Sequence, residues 1–352
     1  MFIFPIHSPP LAPPILMVWL DLPTVILLAT VLGLLAAATV VGRVLRRSPE
    51  VTLNPAVVKT FNSRVRAWWM MYAIMIAGLL VDFYFRNINA TVILFGLVSF
   101  WALREYITMT PTRRSDHRTL FWTFFLFTPL QYFLVAMGTG FFTLYTTMIP
   151  VYASLFIPAR IAISDDPKRF LERVAKIQAG LLICVYALSH APALLSLELL
   201  TSDIKPWTHD IEGKLSRSNA GLLFYFVLLV QMNDVFQYLW GQLLGKHVIA
   251  PNINASRTWE GFLGGVLSTM LLGMLLWWVT PFAIWEAPCM ALVVAVAGAA
   301  GSMTMSAIKR DRGVRDYGTL VSGHAGVLDR IDSICFAAPV FFHLTKYFFS
   351  AA

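Results

Sequence analysis

Charge is scarce in this sequence: only 13% of its 352 residues are Asp, Glu, Lys or Arg, against about 25% in an ordinary soluble domain. With 58% hydrophobic residues and a mean hydropathy of +0.69, such a chain cannot clothe itself in a water-facing surface. A soluble globular fold is excluded. Cysteine is scarce too. Cys184, Cys289 and Cys335 fall singly inside apolar stretches, without the paired spacing of a zinc site or a disulfide framework. They are expected to be buried small hydrophobes. The opening MFIFPIHSPPLAPP lacks the basic start of a signal peptide and its prolines oppose a helix, so no cleavage is expected. There is no GxxxxGK[ST] phosphate loop, no GxSxG elbow, no internal repeat and no low-complexity segment.

What the chain has instead is long apolar runs. Ten stretches, at about 22–42, 67–84, 88–103, 119–137, 140–158, 178–198, 219–240, 262–280, 288–306 and 333–350, approach the roughly 17–25 residues of a membrane-crossing helix. The 88–103 stretch is short and could merge with its neighbour in a hairpin. The expected fold is an all-α integral membrane protein, a polytopic bundle of about nine to ten transmembrane helices. It divides into N-terminal helices over 1–218 and a catalytic region over 219–352 with loops at 241–261 and 307–332. If the N-terminus is outside, the inner segments 43–66, 104–118, 159–177, 241–261 and 307–332 hold 6, 4, 5, 2 and 5 basic residues, 22 of the 27. That is the positive-inside pattern. The net charge of +8 is then topology and attraction to anionic lipid heads, and nucleic acid is not needed as a partner.

Two polar stretches break the apolar pattern and face the same water. In the first, 231–265, Asn233, Asp234, Gln237 and Tyr238 sit in an otherwise greasy helix, and Asp234 and Tyr238 share a face with Gly241 a turn further on. An ionisable group at that depth points into a wet cavity or at a partner; the plain alternative is a polar contact between helices. Trp240 and Trp259 read as interfacial anchors. In the second, 306–333, nine of 28 residues are charged. Asp329 and Asp332 are three apart, on one side of a helix, and Asp316 could join them from the preceding loop. Lys309, Arg310, Arg312, Arg315 and Arg330 stand beside them, and Gly313, Gly318, Gly323 and Gly326 let backbone approach a ligand. Carboxylates that hold Mg²⁺ beside cations that hold phosphate form a recurring device of nucleotide chemistry. A solvated basic loop would explain the cations but not three aspartates around a glycine-flanked His324. His190 and His343 read as satisfied helix contacts, and Asp82, Glu198 and Glu286 need no function.

These stretches resemble the phosphatidate cytidylyltransferase (CDP-diglyceride synthetase) family. Its signature, S-x-[apolar]-K-R-x4-K-D followed by H-G-G-[apolar]-x-D-R-[apolar]-D, reads here as Ser306, Lys309–Arg310, Arg315–Asp316, His324–Ala325–Gly326, Asp329–Arg330 and Asp332. The upstream pattern of an acidic residue, G-K and S-P-K-K-T-x-E-G matches at Asp234, Gly245–Lys246, Thr258, Glu260 and Gly261. Arg315 stands where the family has Lys, Ala325 where it has Gly, and Asn254–Ala255–Ser256–Arg257 where it has S-P-K-K. The resemblance covers roughly 219–350; the first 200 residues match mainly in hydropathy. Arg66–Trp69 and Leu103–Tyr106 look like a branch typified by a bacterial paralogue of the main enzyme.

The resemblance implies CTP + phosphatidate → CDP-diacylglycerol + pyrophosphate in a bacterial inner membrane, with the active site facing the cytoplasm. It implies Mg²⁺, a second cation being left open, held by Asp234, Asp316, Asp329 and Asp332. Lys309, Arg310, Arg315, His324 and Arg330 would act on the phosphates. Ser306, Lys246, Arg257, Thr258 and Glu260 would bind substrate. CTP and phosphatidic acid are the expected partners, with membrane lipids around them and a homodimer left open. Three rivals remain: a CTP-dependent lipid or polyprenol kinase, which would attack the γ- rather than the α-phosphorus; a transporter, which would need polar groups along a path to the far side; and a CDP-alcohol phosphotransferase, whose D-G-x2-A-R…G-x3-D-x3-D pattern is absent.

Overall fold

The computed structural model describes residues 22–47, 55–85, 89–109, 112–199, 219–314 and 326–350. Within them the chain is a helical bundle. Its helices are α1 (Leu22–Arg47), α2 (Pro55–Phe85), α3 (Ala90–Met109), α4 (Arg114–Ala136), α5 (Thr139–Ala162), α6 (Phe170–Ser196), α7 (Ala220–Leu244), α8 (Trp259–Leu275), α9 (Glu286–Asp311) and α10 (Leu328–Phe349). Sheet is confined, among the described residues, to one antiparallel hairpin of β1 (Val248–Ala250) and β2 (Asn254–Thr258) and an isolated bridge between Leu199 and Ser350. Seven helices (α1, α3, α4, α5, α6, α7 and α9) are long and apolar enough to cross a membrane; Trp68–Asp82 and α8 are shorter apolar helices. In a bilayer every backbone group must be satisfied within the segment, which is why the apolar runs fold as helices. The protein is a polytopic all-α integral membrane protein.

The helices overrun the apolar stretches. α1 continues to Arg47 and α2 begins at Pro55, inside the expected loop 43–66, because helical hydrogen bonding persists beyond the apolar stretch. The 88–103 stretch belongs to a full 20-residue helix, α3, which packs against its neighbour α2. Asp82 marks the corner before it, accepting the Ala90 and Thr91 amides at its N-terminus, and Glu286 accepts the Ala283 amide at the start of α9. These carboxylates satisfy amides that a helix start leaves without partners. In the first six helices, α4, α5 and α6 each contain a π-helical turn, at Thr123–Phe127, Met148–Ala153 and Leu182–Ala187.

The core runs along α7, whose residues Ala220–Phe226 are fully enclosed, with Phe226 stacked on Phe341 of α10 at 5.0 Å. α7 packs on α8, α9 and α10. Two crossings depend on missing side chains. A Cβ on Gly265 of α8 would stand 2.3 Å from Gln237 Cγ of α7, and one on Gly301 of α9 would stand 2.7 Å from Phe336 of α10. Close approach through small residues is the usual way membrane helices gain packing energy. It also draws the polar ends of four helices together.

Cys184 and Cys335 are buried as expected, but Cys289 is exposed on the outer face of α9. A small apolar side chain is as much at home facing acyl chains as facing protein. His190 Nδ1 meets the Tyr186 carbonyl at 2.8 Å, while its buried Nε2 has no partner among the described residues. Trp240 sits between helices, its indole N–H donating to Ser268 of α8 at 2.9 Å, whereas Trp259 is exposed.

Candidate active site

One end of the bundle collects the basic segments. Arg312, just past α9, lies 3.9 Å from Glu172 of α6, Arg310 donates to the Ile253 carbonyl of the hairpin, and α3 reaches the start of α10 through Glu105. At this end a cavity of about 250 Å³ opens among α2, α7, β2, α9 and α10. It is lined by Trp68, Gln231, Asp234, Val235, Tyr238, Asn254, Ser256, Arg257, Ser302, Asp329, Arg330 and Asp332. Asp234 and Tyr238 share this face, as their spacing predicts.

Each carboxylate has its own setting. Asp234 accepts from Arg257 Nη2 and from Ser333 Oγ, both at 2.8 Å. The same guanidinium donates to Ser302 Oγ at 2.8 Å and to Gln237 Oε1, so one planar fork joins β2, α7 and α9. Asp329 accepts from Lys309 Nζ at 2.7 Å and from the Gly326 amide at 3.2 Å. Asp332 accepts the neighbouring Ser333 amide at 2.7 Å and makes no ion pair among the described residues. Three carboxylates (Asp234, Asp329, Asp332) and two cations (Arg257, Arg330) thus line the cavity, and Lys309 pairs with Asp329. A polyphosphate arriving among these carboxylates would need further positive charge.

Among the described residues no group of three or more His, Cys, Asp or Glu side chains is arranged to hold a metal ion. Mg²⁺ does not require one. It keeps several waters and takes one or two carboxylates together with substrate phosphates. The oxygen-only donor set, with Asp332 and Asp234 facing one cavity, fits that chemistry.

Other expected site residues frame the cavity. The Thr258 side chain accepts the Gly261 amide and caps α8. Glu260 accepts the Lys246 and His247 amides and pairs with His247 Nδ1 at 2.5 Å. His247 beside it, with those amides, holds the Glu260 carboxyl down to about 2. Lys246 is exposed. Ser306 donates to the Ser302 carbonyl and meets Asn254 Nδ2 at 3.4 Å. Gly313 serves a turn: at φ +68° it terminates α9, its amide returning to the Arg310 carbonyl and that of Val314 to Lys309. Arg315, Asp316, His324, Gly318 and Gly323 lie outside the described residues.

Sequence reasoning did not find Trp68, Ser302, Ser333 or Glu105. Trp68 and Glu105 lie in the Arg66–Trp69 and Leu103–Tyr106 stretches of the branch resemblance, which gave them no role, and serines in a helix carry no signal of their own.

The chain matches the family model described as "Cytidylyltransferase family" over residues 62–348. It is 35% identical over 330 residues to "Uncharacterized protein YnbB" of Escherichia coli (strain K12), a match covering 91% of this chain and 97% of that protein. It is 33% identical over 120 residues to the phosphatidate cytidylyltransferase of Staphylococcus haemolyticus, and 35% identical over 121 residues to that of Staphylococcus saprophyticus. Each of those two matches covers 34% of this chain and 46% of the relative, so the chain spans about half the length of these two. With the family model matched over most of its length, this chain belongs to the cytidylyltransferase family.

Proposed function

We propose that the chain transfers CMP from CTP to phosphatidate, forming CDP-diacylglycerol and pyrophosphate. The observation that carries this reading is the cavity itself: three aspartates and two arginines line it at the polar end of a membrane bundle, with Lys309 of α9 paired to Asp329. A lipid phosphate oxygen attacks the α-phosphorus in line and pyrophosphate leaves with the bonding pair. The nucleophile is already anionic at neutral pH, so alignment and charge neutralisation matter more than a strong base. Arg330 and Arg257 hold phosphate oxygens from two sides. Lys309, on α9, steadies Asp329 and shares its charge with an incoming phosphate. Arg310 extends that basic surface, the resemblance would add Arg315 and His324 as further phosphate ligands, and Ser306, Lys246, Thr258 and Glu260 support the nucleotide side through the hairpin. Asp234, Asp329 and Asp332, with Asp316, would hold Mg²⁺, which when bound neutralises phosphate charge. The acyl chains stay in the bilayer while CTP enters from the cytoplasmic side of a bacterial inner membrane.

Purified protein in detergent, given Mg²⁺, a panel of lipid phosphates and CTP labelled at either the α- or the γ-phosphorus, tests this. Label from the α position is expected in the lipid product. Label only from the γ position would make the chain a lipid kinase. For orientation, with Cys289 replaced by Ser, a cysteine at Lys246 is expected to react only with a thiol reagent that enters cells, and one at Gly140 with a reagent that does not. The reverse pattern would move CTP to the wrong side.

A further inference from the structure

The helix that brings Asp329, Arg330 and Asp332 to the cavity begins at Leu328, and the first amides of a helix have no partner within it. Here three successive amides are taken by carboxylates. Gly326 N–H donates to Asp329 Oδ2 at 3.2 Å, Val327 N–H to Glu105 Oε1 at 3.1 Å and Leu328 N–H to Glu105 Oε2 at 2.8 Å. Glu105 sits on α3, more than 220 residues earlier in the chain, and is only 3% exposed. Its side chain uses both oxygens on adjacent amides, so it fixes the rotation of the first turn as well as its position. Negative charge also suits a helix N-terminus, where the backbone dipoles point their positive ends. Asp329 and Asp332 follow within that same turn and the next.

We propose that Glu105 is a positioning residue for the site: by clamping the start of α10 it sets where Asp329, Arg330 and Asp332 stand relative to Asp234 on α7. This rests on the cytidylyltransfer reading of the cavity. Glu105 itself does not line the cavity. Its effect travels through the backbone of the helix that carries the site, as outer-shell carboxylates act through the ligands they orient. An isosteric glutamine offers one acceptor and turns an amide N–H against the second donor. An aspartate keeps the charge but falls one methylene short.

The test uses the full chain in detergent. Mn²⁺ alone is titrated against wild type, Glu105→Gln and Glu105→Asp and followed by electron paramagnetic resonance, and hydrogen exchange is read over 326–334. Both variants are expected to bind Mn²⁺ roughly 10-fold or more weakly, in the range seen when outer-shell carboxylates are lost. Amides at 327 and 328 exchange faster while α3 stays protected. In the cytidylyltransfer assay the Mg²⁺ needed for half-maximal rate rises with it, and added Mg²⁺ recovers part of the rate. A lowered melting temperature with unchanged Mn²⁺ affinity would overturn the proposal, and so would loss of the fold in both variants, since Glu105 would then serve the fold alone. If no chain transfers CMP at all, the functional reading fails while the Mn²⁺ and exchange measurements still decide the role of Glu105.

Discussion

Two arginine–aspartate clusters occupy the same end of this bundle and differ in one respect. In the first, Arg173 of α6 donates to Asp116 at 2.6 Å, with both side chains almost fully enclosed at 5% and 1% exposure. Its remaining donors go to the Asp166 and Lys168 carbonyls and to Ser115 Oγ. Arg113 in turn holds Asp166 and keeps its carboxyl below the usual range. Packing closes the Arg173–Asp116 pair off from solvent on both sides. In the second cluster Arg257 and Asp234 are 19% and 30% exposed and face about 250 Å³ of open space beside Asp332 and Arg330. An ion pair closed on all sides has its hydrogen-bonding capacity filled and ties helices together. The same pair at a cavity wall can exchange its partner for a ligand. Pairing alone does not mark a site; pairing with room does.

The largest contrast is expected at the open cluster. Asp329→Asn and Asp332→Asn should each lower turnover by about 10³-fold or more without unfolding the protein, and the double variant should be little worse than the poorer single one, because groups acting as a unit are not additive. Turnover of the three folded variants checks this; losses that multiply would break the idea of a shared site. The closed cluster should behave in the opposite way. Asp116→Asn leaves the buried Arg173 guanidinium only Asp166, 3.3 Å away, as counter-charge and should cost up to about 3 kcal/mol of stability, read as a lower unfolding temperature, while the folded fraction keeps turnover within a few-fold of wild type.

A smaller effect separates the fork of Arg257 from its charge. Arg257→Lys keeps the cation but cannot reach Asp234, Gln237 and Ser302 together. Loss of one charge-assisted hydrogen bond predicts about a 10-fold fall in kcat/KM, and an unchanged value would reduce Arg257 to a counter-charge. The smallest effect lies in the hairpin. Glu260 has its carboxyl depressed from an ordinary 4.5 to about 2. Its stabilising contacts are therefore complete above pH 4.5 and lost as pH falls from there toward 2. Exchange protection at 248–258 should be level from pH 8 to pH 5 and decline only below 4.5.

Much of this was legible beforehand because the membrane simplifies the code. Apolar runs had to be helices, all ten expected segments coincide with helices, Asp234 was visible as a carboxylate where charge is costly, and Asp329 and Asp332 as a pair three apart in a charged stretch. Helix ends were less legible, since hydropathy marks where lipid would stop and not where hydrogen bonding stops; Arg47 and Pro55 show the difference. Partner choice was not legible at all. Nothing in the spacing says that Arg257 reaches Asp234, that Lys309 reaches Asp329, or that Glu105 meets a helix more than 220 residues away. Those contacts follow from helix crossings such as Gly301 against Phe336, which are properties of the packed bundle.

Asp234 is the residue on which the account turns, because it joins the cavity from a different helix and is already paired. Its replacement by Asn keeps a hydrogen-bonding side chain of the same shape for Arg257 and Ser333 but removes the charge. The decisive measurement is CMP transfer by Asp234→Asn as a function of Mg²⁺ concentration, with wild type alongside. The account predicts a folded protein, a rate lower by orders of magnitude, and partial recovery at raised Mg²⁺. A rate and a Mg²⁺ curve indistinguishable from wild type would contradict it and leave Asp234 as a contact between helices.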